Sequence, residues 1–166
     1  MRLSILIILV FPLLAMAYEE KTDDHNFLPL GIISKQDILA GRMIYNHNYV
    51  EYVPKSDPVQ AIHNCAHPVE VKVVFGDWCK DSKKHVPAFI KTMEFADNKG
   101  IQVVYINVDR QKKKPADLIE GLDIQSVPTF IVYSDGKETG RIVESPKVNI
   151  EQDFANLLPS ANKQAE

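Results

Sequence analysis

The stretch Val71-Lys-Val-Val-Phe-Gly-Asp-Trp-Cys-Lys-Asp-Ser-Lys-Lys-His-Val-Pro87 decides the fold. Its apolar start, Val71 to Phe75, is typical of a strand covered on both faces, and the residues after Asp77 are typical of a helix. The change from strand to helix places Cys79 at the helix N-terminus. Unpaired backbone N–H groups and the helix dipole stabilise an anion there, and the thiolate is the reactive form of cysteine. The stretch therefore predicts a reactive cysteine at the end of a central strand.

Three segments, in order and with intact spacing, resemble the thioredoxin family. The first is Trp78-Cys79-Lys80-Asp81-Ser82 with Pro87 behind it, which is similar to the family's Trp-Cys-x-x-[Cys/Ser] motif and helix proline. The second, Val103 to Asp109, resembles the family's central strand. The third, Ser126-Val127-Pro128-Thr129-Phe130, resembles its cis-proline loop. The resemblance extends over about residues 69–145. It implies an α/β thioredoxin-like fold, with a central mixed sheet flanked by helices and an added N-terminal helical extension.

The resemblance also implies a role for each site residue. Cys79 is the expected nucleophile, and Ser82 is expected to hydrogen-bond its thiolate. Trp78, Val127 and Pro128 are expected to contact an extended substrate, with a cis peptide bond before the proline, the residue type to which such bonds are nearly confined. The resemblance implies no cofactor and no metal ion for this site.

Ser82 departs from the dithiol members of the family, which use a second cysteine at this position to resolve mixed disulfides. Serine forms no disulfide, so a mixed disulfide on Cys79 should persist until another thiol arrives. Two further departures agree with this. Dithiol members often carry a buried acid and a lysine where this chain has Val73 and Tyr105.

Two functions from different classes follow. The first is a thiol–disulfide oxidoreductase that acts through a single cysteine, by mixed-disulfide or isomerase-type chemistry, on protein or small-molecule thiols and disulfides. The alternative is a non-catalytic client-binding module. A thiol peroxidase is disfavoured because nothing near Cys79 resembles that family's threonine-proline-arginine peroxide pocket.

The N-terminus resembles a secretory signal peptide. Met1-Arg2 is a positive start, Leu3 to Leu14 is an apolar run, and Ala15-Met16-Ala17 is a small-x-small cleavage site. The apolar run is short for a membrane span, and polar residues follow it. We therefore expect cleavage after Ala17, export to a periplasm or secretory space, and no stable membrane insertion afterwards.

The rest of the chain divides into an extension at 18–48, a thioredoxin-like domain at 49–159 and a flexible tail at 160–166. In the extension, a helix is expected from Ser34 to Tyr45, where apolar residues recur at helical spacing. The alternation in Tyr49-Val50-Glu51-Tyr52-Val53 predicts the first strand of the domain. The extension is not expected to be needed by the domain's core.

Composition limits the partners. The formal net charge of −3 gives no electrostatic case for binding nucleic acid. The chain has two cysteines, so disulfides do not staple the fold. Cys65 and Cys79 lie at opposite ends of a strand of roughly 26 Å, too far for a bond that needs Cα atoms within about 7 Å. Three interpretations of Cys65 stay open: a small buried residue, the partner in an intermolecular disulfide, or a weak metal site with His63 and His67.

Overall fold

The computed structural model of the protein describes residues 28–159. The expected signal peptide at 1–17, the first part of the extension at 18–27 and the tail at 160–166 lie outside these residues. Among the residues described, no helix combines the length and the hydropathy needed to cross a membrane.

A mixed sheet of five strands forms the centre of the fold, in the order β1-β3-β2-β4-β5. The strands are β1 (Gly31–Ile33), β2 (Val69–Phe75), β3 (Ile101–Asn107), β4 (Thr129–Ser134) and β5 (Lys137–Val143). Only β2 and β3 run parallel among these pairs, and the other three neighbouring pairs are antiparallel. The predicted α/β thioredoxin-like fold with a mixed central sheet is confirmed.

Six helices surround this sheet in the described part of the chain. They are α1 (Lys35–Gly41), α2 (Met43–Glu51), α3 (Ser56–His63), α4 (Lys80–Ala96), α5 (Ala116–Ile119) and α6 (Ile150–Leu157). Ser34 caps α1, since its side chain accepts a hydrogen bond from the Asp37 backbone N–H at 3.1 Å. The expected helix from Ser34 to Tyr45 is therefore present, although it divides into α1 and the start of α2.

The predicted strand at Tyr49–Val53 is wrong, because α2 continues to Glu51. Tyr49 and Tyr52 both pack against the main core, and their separation by three residues is helical spacing. Val50 and Val53 are exposed, with 57% and 78% of their surface accessible. The apparent alternation of the sequence therefore comes from one packed and one solvated side of a helix end.

The first strand lies instead in the extension. Each residue of β1 pairs with β3, in the register Gly31 with Asn107 to Ile33 with Tyr105. Leu28, Ile33, Ile38 and Tyr45 are buried in the main core cluster. The expectation that the core does not need the extension is therefore wrong, since residues 28–48 supply a strand, a helix and part of that core.

The two faces of the sheet carry cores of unequal size. In β2, Val73 and Phe75 belong to the larger cluster, and Val74 between them belongs to the smaller one. This is the alternation of a strand buried on both faces. Trp78 and Cys79 pack against the smaller cluster. The end of β2 therefore delivers the cysteine to the face that carries α5.

Candidate active site

The cysteine of the central motif begins α4. Cys79 is the N-cap residue of this 17-residue helix, with extended backbone angles of φ −82° and ψ 133°. Its N–H donates to the Gly76 carbonyl at 2.8 Å, and its carbonyl accepts from the Lys83 N–H at 3.2 Å. The first bond closes a tight turn after β2, and the second is the first bond of the helix. The thiol therefore lies at the positive end of the helix dipole, as the sequence predicts.

The proline loop reaches the same point from another strand. Cys79 Sγ is half-buried and donates a hydrogen bond to the Val127 carbonyl at 3.1 Å. The peptide bond between Val127 and Pro128 is cis. The Pro128 carbonyl accepts from the Glu144 N–H at 2.8 Å, which ties the loop to the end of β5. The structure therefore places Cys79, Val127 and Pro128 together, although 48 residues separate the cysteine from Val127.

Ser82 does not make the expected hydrogen bond to the thiol. It is fully buried, and its Oγ accepts a hydrogen bond from the Gly76 N–H at 3.2 Å. Within residues 28–159, no hydrogen bond joins Ser82 to Cys79 Sγ. The serine instead fixes the turn that carries Cys79, through the backbone of Gly76.

Trp78 is held on three sides. Its Nε1–H donates to the Val108 carbonyl at 3.0 Å, and the Arg110 guanidinium carbon lies 5.4 Å from the centre of the ring. On the third side, a Cβ added to Gly76 would lie 2.5 Å from the indole. A residue with a side chain at position 76 would therefore push the indole from its place beside Cys79.

A buried polar network joins the extension to the motif. The Asp77 side chain is completely buried, and Arg42 Nη1 lies 3.3 Å from both of its carboxylate oxygens. The Asp77 N–H donates to Asn107 Oδ1 at 3.0 Å. The amide of Asn107 in turn donates to the carbonyls of Leu28 and Pro29. This network ties the segment before β1, the junction of α1 and α2, and the end of β3 to the motif.

Sequence reasoning missed this network. The sequence analysis assigned no structural role to Asp77, Arg42 or Asn107. The aspartate and the arginine are 35 residues apart, so no local pattern links them. The available signal was weaker: an acid in an otherwise apolar strand-to-helix turn is costly to bury and requires a partner.

Tyr45 lies under the same turn. Its ring packs edge-on against Phe75, with ring centres 6.3 Å apart. The side chain is fully buried, and its hydroxyl has no hydrogen-bond partner in the described part of the chain. Burial, reinforced by the charge of Asp77, raises the pKa of this phenol. Tyr45 therefore keeps its proton at neutral pH.

Cys65 is remote from this site in its contacts. The residue is half-buried, and its Sγ lies 3.7 Å from the His67 carbonyl. The backbone carbonyl of Cys65 accepts a hydrogen bond from Asn98 Nδ2 at 2.8 Å. Neither cysteine forms a disulfide. Residues 28–159 contain no group of three or more His, Cys, Asp or Glu side chains arranged to hold a metal ion. Cys65 is thus a free thiol at the end of the sheet opposite to Cys79.

Comparison with known proteins places this geometry in a family. The family model described as Thioredoxin matches residues 36–155. The protein is similar to "Putative thioredoxin-5" of Dictyostelium discoideum, with 34% identity over 91 residues that cover 55% of this chain and 83% of that protein. It is also similar to "Thioredoxin H-type" of Picea mariana, with 26% identity over 84 residues that cover 51% of this chain and 62% of that protein.

Among solved structures, that of Trxlp from Edwardsiella tarda EIB202 aligns with 64% of this chain and 97% of its own, at 18% identity and a TM-score of 0.45. The family match itself covers well over half of the chain, from α1 into α6. The chain therefore belongs to the thioredoxin family.

Proposed function

We propose that the protein is a thiol–disulfide oxidoreductase that acts through Cys79 alone. One observation carries this proposal: the thiol begins α4, faces the Val127 carbonyl at 3.1 Å, and has Ser82 where a second thiol would be needed to resolve an adduct. The sulfur lies at the positive end of the α4 dipole, and a thiolate is the nucleophile in disulfide exchange.

The reaction has two exchanges. In the first, the Cys79 thiolate attacks one sulfur of a substrate disulfide, the sulfur–sulfur bond breaks, and the other substrate sulfur leaves as a thiolate. In the second, a thiolate from the substrate or from a low-molecular-weight thiol attacks the mixed disulfide and releases Cys79. No net oxidation occurs when the substrate's own thiol completes the cycle, so the chemistry suits isomerisation.

The Val127 carbonyl links the ionisation of Cys79 to the binding of substrate in this cycle. In the resting thiol, this oxygen accepts the hydrogen bond of the S–H group. When Cys79 loses its proton, the oxygen loses that donor and is free to accept an N–H from an extended substrate segment. We assign Trp78 and Pro128 to the same surface, with Ser82 as a positioning residue that holds Gly76.

Refolding of a protein with scrambled disulfides tests this function. We expect the wild-type protein and a Cys65→Ser variant to accelerate the recovery of native disulfides in the presence of a small thiol. A Cys79→Ser variant should lose that activity. If Cys79→Ser is as active as wild type, the proposal is wrong.

A second function rests on the same serine. Because Ser82 cannot resolve a mixed disulfide, the protein could retain clients covalently without turnover and act as a binding module. Single-turnover and multiple-turnover measurements with a disulfide peptide separate the two functions. The binding module is favoured if one adduct forms per protein molecule, added thiol releases it, and the protein does not increase the rate of substrate isomerisation.

We also propose that the protein is exported, on the strength of the signal-like pattern at residues 1–17. Expression of the full chain in a secreting host should yield a protein whose N-terminal residue is Tyr18. Recovery of the intact chain inside the cell contradicts export.

A further inference from the structure

A short loop beside Trp78 concentrates positive charge. The segment between β3 and α5 contains Arg110, Lys112, Lys113 and Lys114, which we call the basic loop. Arg110, Lys113 and Lys114 are exposed, and Lys112 is half-buried. Arg110 lies over the Trp78 ring at 5.4 Å, so the loop adjoins the residue directly before Cys79.

The basic loop is a fixed structure. The Asp109 N–H donates to the Lys114 carbonyl at 3.2 Å, and the Lys112 N–H donates to the Asp109 carbonyl at 3.0 Å. Asp109 Oδ1 accepts from the N–H groups of Lys113 and Lys114, at 2.7 and 3.0 Å. Asp109 is therefore engaged by backbone N–H groups of the loop, while Lys113 and Lys114 remain exposed.

This concentration contrasts with the rest of the protein. The whole chain has a formal net charge of −3, yet four cationic side chains lie within five consecutive residues here. Lys80, directly after Cys79, is also exposed. Asp117 and Glu120 on and after α5 are the acids that follow the loop in sequence, and they oppose its charge. At physiological salt the Debye length is about 8 Å, and the Arg110 guanidinium carbon lies within that distance of the indole, at 5.4 Å from its centre.

We propose that the basic loop is a docking surface for acidic protein segments, so that Cys79 reacts preferentially with disulfides flanked by aspartate or glutamate. This inference rests on the proposed function, because the preference is expressed through reaction at Cys79. A peptide fits better than a nucleic acid, since the basic loop is short and lies next to a nucleophile for disulfides. A nucleic acid would need a longer basic surface to follow its phosphates.

The test compares disulfide-bonded peptides that differ only in flanking charge. A Cys65→Ser protein is reacted with peptides carrying acidic, neutral or basic flanks, and the second-order rate constant of adduct formation is measured at low and high salt. We expect the acidic peptide to react about ten times faster than the basic one at low salt, with the difference lost at high salt. Equal rates at low salt overturn the inference.

Charge reversal assigns the preference to the loop. In Lys113→Glu/Lys114→Glu, the order of the acidic and basic peptides should reverse. The matched control is Lys99→Glu/Lys137→Glu, which reverses two exposed lysines near the N-terminal end of β2, opposite to Cys79. The control should keep the wild-type order. If both double variants behave alike, the preference comes from net charge and the docking surface is refuted.

A binding measurement separates this inference from the proposed function. Trp78 is the single tryptophan of the chain, so its fluorescence reports on ligands at the loop. An acidic peptide without cysteine should change the emission saturably and in a salt-sensitive way, even if Cys79 reacts with no disulfide. No change on adding the peptide overturns docking, whereas a failed neutral-disulfide reaction with intact peptide binding overturns only the proposed function. Tighter binding of a single-stranded oligonucleotide than of the acidic peptide would refute the choice of partner.

Discussion

Gly76→Ala is the most informative single change in the motif. Gly76 accepts the Cys79 N–H through its carbonyl and donates its own N–H to Ser82 Oγ. Its backbone does not need the left-handed conformation, so alanine is acceptable to the main chain. The whole effect of the change therefore comes from the added methyl group and the indole of Trp78.

The contact distances set the size of the effect. The added Cβ would lie 2.5 Å from Trp78 Cε2 and 2.7 Å from Nε1, whereas ordinary contacts begin at 3.4 Å. The indole must therefore move by about 1 Å, which stretches its 3.0 Å hydrogen bond to Val108 beyond the useful range. Overpacking costs about 1–3 kcal/mol, and the lost hydrogen bond about 1 kcal/mol. We expect a loss of about 2–3 kcal/mol in the free energy of unfolding.

Thermal unfolding and tryptophan emission measure both parts of this prediction. A loss of about 2 kcal/mol corresponds to a fall of about 4–8 °C in Tm for a protein of this size, and the emission of Trp78 should shift as the ring leaves its pocket. Gly140→Ala is the matched control, because its Cβ meets only the flexible end of Leu157, at 2.6 Å. The control should leave the emission unchanged. Wild-type emission and Tm in Gly76→Ala would refute the reasoning.

Three further predictions concern pH, a buried hydrogen bond and the missing thiol. Burial, with the neighbouring charge of Lys84, lowers the pKa of His85 in the folded protein, so below about pH 6.5 the unfolded chain binds more protons than the folded one. The free energy of unfolding should therefore fall as the pH drops through this range. Urea midpoints should show a shallower fall in His85→Gln. Tyr52 donates its hydroxyl to the buried Glu151 carboxylate, so Tyr52→Phe should lower stability by about 1–2 kcal/mol in thermal unfolding, and an unchanged Tm contradicts this. Ser82→Cys supplies a second thiol that can attack the mixed disulfide on Cys79, so a mass-spectrometric time course should show the adduct disappearing without added thiol. If the adduct persists, the lack of a thiol at position 82 is not what keeps the wild-type adduct in place.

The centre of the site was predictable because its signals are contiguous. An apolar run that ends at Gly76 predicts a buried strand, and the polar residues that follow predict a helix. These two elements alone place Cys79 at the N-terminus of the helix. The place of the Pro128 segment beside the thiol was predictable only through its resemblance to the thioredoxin family's cis-proline loop.

The rest depends on contacts that leave no local pattern. β1 has three residues, too few to show a periodicity of two, and its pairing with β3 is decided by the entire sheet. The bond between Ser82 and Gly76 depends on how tightly the turn closes, which composition does not encode. The partnership of Arg42 with Asp77 crosses from the extension to the motif, so it emerges only once both elements are placed.

Mixed-disulfide trapping tests the central claim most directly. A Cys65→Ser protein, in which Cys79 is the only thiol, is mixed with a peptide disulfide and analysed by intact mass and peptide mapping. The account predicts one peptide attached to Cys79, stable after removal of excess reagent and released on addition of a small thiol. If no adduct forms under conditions in which free cysteine reacts, Cys79 is not the nucleophile and the proposed chemistry is wrong.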